Sequence, residues 1–198
     1  MWLERRPCDA QRRRLGGGHT QGMPDSMLEK IISGGQTGAD QAGLLVARQF
    51  GLATGGWMPS GFLTSTGANP ELAREFGLLE HTGGYPERTR ANVRESDGTI
   101  RLAASFWTSG ERCTLKWIKH YGKPSFSVEM LAPQPAELVV QWLLENKIRV
   151  LKVSGNSEPK NASAKTAGIT PFVQQYLAQV LRSLGLRELP TAQIERLR

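Results

Sequence analysis

A short apolar stretch, Lys30-Ile31-Ile32, runs into Ser33-Gly34-Gly35-Gln36-Thr37-Gly38-Ala39-Asp40, and a helical pattern follows. A glycine-rich turn between a strand and a helix start presents backbone N–H groups that have no partner within the helix. The helix dipole adds positive potential at the same place. Together they suit an anion, most often a phosphate. Glycine lets a ligand approach the backbone closely, and Gln36 and Thr37 add side-chain donors. The turn is not a Walker loop, which needs Gly-Lys-Ser/Thr, and the spacing is wrong for G-x-G-x-x-G. A plainer reading is a helix start that needs small residues for tight packing. Asp40 is expected as a helix N-terminal cap. Three charge-assisted hydrogen bonds at roughly 1.5–3 kcal/mol each give a gross gain of roughly 5–9 kcal/mol. Nanomolar binding needs about −12 kcal/mol, so a base or another ring must supply the remainder.

Further groups follow the later strands. Trp57 and Phe62, in Gly55-Gly56-Trp57-Met58-Pro59-Ser60-Gly61-Phe62, are placed either to stack on a planar ring or to fill core. In Tyr85-Pro86-Glu87-Arg88-Thr89-Arg90-Ala91-Asn92, Arg88 and Asn92 share a helix face, as do Tyr85 and Thr89. Arg88 is a candidate fork for a phosphate or carboxylate. The alternative is a solvated helix with a salt bridge to Glu87 or Glu95. Asp97, in Ser96-Asp97-Gly98, reads as a turn residue or as a partner for a ribose hydroxyl. Thr108-Ser109-Gly110-Glu111 is a second glycine turn opening a helix, and Ser154-Gly155-Asn156-Ser157-Glu158-Pro159-Lys160 closes the last strand. Three strand ends carry Ser-Gly, which suggests one continuous polar cleft. The expected ligand-binding set is Ser33, Gly34, Gly35, Gln36, Thr37, Gly38, Trp57, Arg88, Thr89, Asn92, Ser109, Gly110 and Gly155. Glu111 and Glu158 are the carboxylates at strand ends that qualify for acid–base work, which requires an environment that tunes them.

These groups must be positioned by alternating strands and helices. The periodicity predicts strands at Lys30-Ile31-Ile32, 53–58, 99–104, 125–128 and 148–153. It predicts helices around 42–50, 70–76, 86–94, 111–121, 136–145 and 170–184, with loop at 59–69. Such alternation in one domain argues for an α/β fold, a mostly parallel central sheet with helices on both faces. Ligands then bind outside the carboxyl ends of the strands.

The 198 residues suffice for one domain with tails. No apolar run approaches the roughly 20 residues that span a bilayer, so no membrane partner is expected. Two cysteines, Cys8 and Cys113, exclude a disulfide scaffold and fit a reducing, cytoplasmic setting. His19, His81 and His120 are scattered, and no Cys/His cluster has zinc spacing, so no directly ligated metal is expected. The net charge of +7 invites a nucleic-acid reading. Part of that charge is local to the N-terminus, and the rest is spread out, so nucleic acid ranks last. Residues 1–26 read as a basic, disordered tail, or as an upstream misreading of the start codon, since Met23 and Met27 precede the first strand. Residues 27–187 form the expected domain, and 188–198 a C-terminal tail. A homo-oligomer is plausible, but no feature specifies one.

Several strings together resemble the molybdenum-carrier family, in order from about Leu28 to Leu184. They are Ser33-Gly34-Gly35-Gln36-Thr37-Gly38-Ala39-Asp40-Gln41-Ala42-Gly43-Leu44, Gly56-Trp57-Met58-Pro59, Tyr85-x-x-Arg88-Thr89-x-x-Asn92-Val93, Ser96-Asp97-Gly98-Thr99, Gly122-Lys123-Pro124 and Gly155-x-x-Glu158-x-Lys160. That family is similar to the SLOG group, which includes the Lonely Guy phosphoribohydrolases and the DNA-processing protein A family. The resemblance implies a Rossmann-like three-layer sandwich and a small phosphorylated ligand at the glycine turns. That ligand would be the molybdenum cofactor, a pterin bearing a phosphate, or a nucleotide. Two departures stand out. Gly110-Glu111-Arg112 replaces the usual Gly-Gly-Thr, placing an acid that Arg112 is expected to offset. Residues 161–167 look like an insertion. The Pro-Gly-Gly-x-Gly-Thr string of the Lonely Guy enzymes is missing. A binding protein is therefore favoured over an enzyme that cleaves a nucleotide's N-glycosidic bond.

Overall fold

In chain order the strands are β1 (Lys30–Ile32), β2 (Ala53–Met58), β3 (Leu63–Thr64), β4 (Gly67–Ala68), β5 (Leu78–Glu80), β6 (Gly98–Ala103), β7 (Ser125–Glu129) and β8 (Val150–Gly155). The helices are α1 (Ala39–Gln49), α2 (Pro70–Phe76), α3 (Tyr85–Glu95), α4 (Ser109–Tyr121), α5 (Ala136–Glu145), α6 (Ile169–Ser183) and α7 (Thr191–Glu195). The structure is a computed structural model that describes residues 28–159 and 168–196. The expected basic tail of residues 1–26, Lys160 and the insertion at 161–167 lie outside the described residues.

Six strands form one sheet in the order β5-β2-β1-β8-β6-β7. Every pairing in it is parallel, which gives the Rossmann-like α/β arrangement. The last strand of the chain lies at the centre of the sheet, with Ile32 beside Lys152 on one side and Arg101 beside Ser154 on the other.

Alternation along the strands separates two unlike faces. Ile31, Ile100, Leu102, Leu151 and Val153 join an apolar core with residues of α1, α5 and α6. On α6, Ile169, Val173, Tyr176, Leu177, Val180 and Leu181 recur at helical spacing and are buried. Fully burying a side chain such as Leu177 contributes roughly 1.5–3 kcal/mol. The intervening strand residues Thr99, Arg101, Lys152 and Ser154 are just as buried, on the face covered by α3 and α4, which pack together. One layer is thus oily and the other polar.

The expected strands and helices are present, with most ends shifted by one or two residues. Residues 59–69, read as loop, hold a 3-10 turn at Ser60–Phe62 and the small hairpin β3–β4. β5 was not read at all. It has three residues without alternation and borrows its conformation from β2. Asp97 is placed away from the strand carboxyl ends. Its Oδ2 accepts from the N–H groups of Arg149 and Val150, at the entry to β8. Ile148, expected in the strand, instead donates its N–H to the Leu143 carbonyl at the end of α5, and the strand begins at Val150.

Candidate functional site

A cavity of about 450 Å³ opens at the carboxyl ends of β1, β6 and β8. Three stretches build most of its wall. The start of α3 contributes Tyr85, Pro86, Arg88 and Thr89. The start of α4 contributes Thr108, Ser109, Gly110, Glu111, Cys113 and Thr114. The end of β8 and the residues after it contribute Ser154, Gly155, Asn156 and Ser157, the loop after β1 adds Gln36, and the first turn of α1 adds Asp40. Two helix N-termini therefore face one space, and each brings positive potential. Thr108 caps α4 by accepting from the N–H of Glu111. Asn156 positions the loop after β6, because its Oδ1 accepts from Ala104 and Ser105 and its amide returns a bond to the Ser105 carbonyl.

The charged part of the polar layer reaches this wall at Arg88, Asp40 and Glu111 and lies behind it at Arg101 and Lys152. Arg88, Arg101 and Lys152 are three buried cations, set against two buried carboxylates, Asp40 and Glu111. Arg88 Nη1 lies 3.4 Å from Asp40 Oδ2, while Arg88 Nε is buried with no partner among the described residues. Arg101 Nε donates to Glu111 Oε2 at 2.9 Å, and Glu111 Oε1 is buried and unpartnered. Burial pushes the Glu111 carboxyl above its usual range, although Arg101 and Lys152 pull it back. Lys152 is wholly buried between the two pairs. Burial lowers it to about 8, with Asp40 and Glu111 opposing that fall and Arg88 and Arg101 adding to it.

The β1 loop is largely satisfied from within. Asp40 Oδ2 accepts from Gly34 N–H at 3.1 Å and Gln36 N–H at 3.3 Å. Gly38, not Asp40, is the N-cap of α1. Asp40 sits in the first turn of the helix, and its carboxylate reaches back to the loop N–H groups read as donors to a phosphate. Arg88 covers Gly34 so closely that a Cβ there would lie 1.7 Å from its Nη1. Gly38 meets the β8 loop the same way, since a Cβ would come within 2.5 Å of the Asn156 carbonyl oxygen, and its φ is +84°. Gln36 Oε1 accepts from Thr37 and from Ser65, which ties the hairpin to the loop.

The comparisons with known proteins agree with this architecture. Residues 31–181 match the model of the circularly permutated YpsA SLOG family. The chain belongs to that family. A solved structure from Syntrophus aciditrophicus SB, described as "Putative molybdenum carrier protein", superposes with a TM-score of 0.70. It is 31% identical and covers 78% of this chain and 96% of its own. No curated protein matches the chain. The family resemblance read from the sequence strings is borne out.

Within this SLOG fold the residues singled out from sequence divide into two groups. Gln36, Arg88, Thr89, Ser109, Gly110, Gly155 and Glu111 meet on the cavity wall. Ser33, Gly34, Gly35, Thr37 and Gly38 lie in the loop beside it and are not on that wall. Ser33 Oγ is turned to the Asp40 carbonyl, and Thr37 Oγ1 pairs with Ser65. Trp57 is held elsewhere. Its indole N–H donates to Glu95, and its ring meets His81 edge-on. Asn92 is fully buried and clamps the Trp57 backbone by both its N–H and its carbonyl. Glu158 caps α6, accepting from Gly168 N–H and from the Thr170 N–H and hydroxyl. Its burial raises the carboxyl, but these bonds outweigh that and hold it below the usual range. The partner that offsets Glu111 is Arg101, not Arg112, which points out to solvent. Arg101 and Lys152 went unread as site residues. The signal available was a lone charge at an alternate position within each apolar strand.

Among the described residues, no cluster of three or more His, Cys, Asp and Glu side chains is placed to hold a metal ion. No helix among them is long and apolar enough to cross a membrane.

Proposed function

We propose that the protein binds a small phosphorylated ligand in this cavity, either a pterin phosphate such as the molybdenum cofactor or a nucleotide. The observation that carries this reading is the charge balance at and just behind the cavity wall, three buried cations against two carboxylates. A surplus charge in a poorly hydrated layer is costly, and an incoming anion offsets it. The unpartnered Nε of Arg88 and the N-termini of α3 and α4 on the wall support this cavity as the phosphate seat. The residues present fit a phosphate of this kind. Any molybdenum would arrive on its pterin as cargo. Phosphate alone is expected near the millimolar range, about −4 kcal/mol, and the ring supplies the rest. Titration calorimetry with inorganic phosphate, AMP and a pterin phosphate tests the reading. The Gln36→Ala, Arg88→Ala pair is expected to weaken the ester by roughly 10- to 100-fold while the chain stays folded. Unchanged affinity in the pair would sink it.

Glu111 favours a second reading, a phosphoribohydrolase-like enzyme that cleaves the N-glycosidic bond of a nucleotide. Its buried carboxyl lies on the cavity wall, with its pKa raised by burial and its position fixed by Arg101. Those are the conditions a general acid requires. Glu158, committed to α6, lacks them. Free base released from nucleoside monophosphates, and lost in Glu111→Gln, would establish turnover.

A further inference from the structure

Glu111 poses a hydrogen-bonding question that an anion alone leaves open. Its carboxylate is 1% exposed. Oε2 is taken by Arg101, and Oε1 has no partner among the described residues. An ionised carboxylate oxygen only accepts. The rest of the wall tends to donate, through the N-termini of α3 and α4 and the Arg88 guanidinium. Asp40, the other carboxylate there, has Oδ2 filled by Gly34, Gln36 and Arg88. Glu111 Oε1 is the carboxylate oxygen of this wall that is buried without a partner among the described residues.

We infer that Glu111 is a specificity residue that accepts a hydrogen bond from a hydroxyl or amine on the ligand, so the cavity selects phosphate esters of polyols, such as ribose phosphates, over bare phosphate or alkyl phosphates. The inference rests on the phosphorylated-ligand reading above. It adds the chemistry next to the phosphate. An acid that would merely repel an anion becomes the group that tells one anion from another, because a ligand lacking the donor leaves Oε1 unpaired in the complex. A site built to bond a substrate OH rejects an analogue without it far more strongly than an apolar pocket does.

Ribose 5-phosphate and pentyl phosphate separate the two contributions, since both carry the phosphate and only the first carries hydroxyls. Wild-type protein is expected to bind ribose 5-phosphate roughly 10- to 100-fold more tightly. In Glu111→Gln the amide oxygen stays on Arg101, and an NH2 replaces the free acceptor. The preference should then fall to within about threefold, while pentyl phosphate binds as well as before or better. Equal affinities in the wild type would overturn the inference without any variant. A preference that survives in Glu111→Gln would overturn it too. If the wild type binds neither ester nor inorganic phosphate, the phosphorylated-ligand reading itself has failed, and this one falls with it.

Discussion

Replacing Arg101 by methionine isolates the electrostatics of the polar layer. Arg101 and Glu111 are 7% and 1% exposed and 2.9 Å apart. At that distance and an effective dielectric near 20, their attraction is about 6 kcal/mol. Most of it offsets the desolvation of the two ions. Breaking a buried pair from one side costs about 3–5 kcal/mol, because the remaining charge is stranded. Lys152 still neighbours Glu111 and softens that loss, whereas the contacts of Arg101 with Ser127 and the Phe106 ring disappear. A net loss of about 3 kcal/mol is therefore expected at pH 7, a fall in Tm of about 6–12 °C for a chain of this size. The pH dependence adds a second test. Glu111 titrates above 4.5 in the folded protein because burial penalises its charge. Folding is therefore favoured by its protonated form, and that contribution fades as pH rises from about 4.5 through the folded value. Without Arg101 the folded value climbs further, so the variant should lose more stability at pH 7 than at pH 5. Chemical denaturation at both values measures this. The double variant Arg101→Met, Glu111→Leu should recover most of the loss. A single variant that loses less than about 1 kcal/mol, or loses equally at both pH values, would refute a dry, coupled pair.

Three further outcomes are expected. Lys152 releases its proton near pH 8 when folded, against 10.5 ordinarily, so folding stability from this group rises as pH climbs from about 8 toward 10.5 while phosphate affinity falls. Lys152→Met should flatten both profiles, which denaturation and calorimetry would show. Gly34→Ala places a methyl on the Arg88 guanidinium. It should displace that group from Asp40 and lower ester affinity by roughly tenfold or more, read by calorimetry with the fold checked by circular dichroism. Glu158→Ala leaves the Gly168 and Thr170 N–H groups uncapped. A loss of about 0.5–2 kcal/mol is expected, measured by denaturation, with ester binding unchanged.

Local pattern carried the elements and missed what lies between them. Lys30-Ile31-Ile32 and Gly34-Gly35 announce a strand end and a turn because both signals sit within a few neighbouring residues. Arg88 was legible through its place on the α3 face, and Glu111 through its glycine turn. Lys152 was not, because it reads as one interruption in Val150-Leu151-Lys152-Val153. Its meaning comes from a sheet order that sets β8 between β1 and β6. Trp57 looked available for stacking since nothing in its own string reveals Glu95 and Asn92, which are more than thirty residues away and hold it. The first glycine turn shows the converse limit. Asp40 does not cap α1, whose N-cap is Gly38; its carboxylate instead accepts from the Gly34 and Gln36 N–H groups, which the string alone leaves open.

The central place of β8 also bears on how the molecule is made. Ile32 and Lys152 are neighbours in the sheet but 120 positions apart along the chain. At about 5–20 residues per second, a ribosome delivers β1 many seconds before the strand that pairs with it. Until then β1 and β6 each present an open edge, which favours intermolecular association. Such late, distant closure slows folding. Because Lys152, Ser154 and Gly155 arrive with β8, the polar layer and the cavity wall close only after β1, α3, β6 and α4 have been made. A chain that stops short of β8 retains the glycine turn after β1 yet lacks the strand that completes the cavity wall.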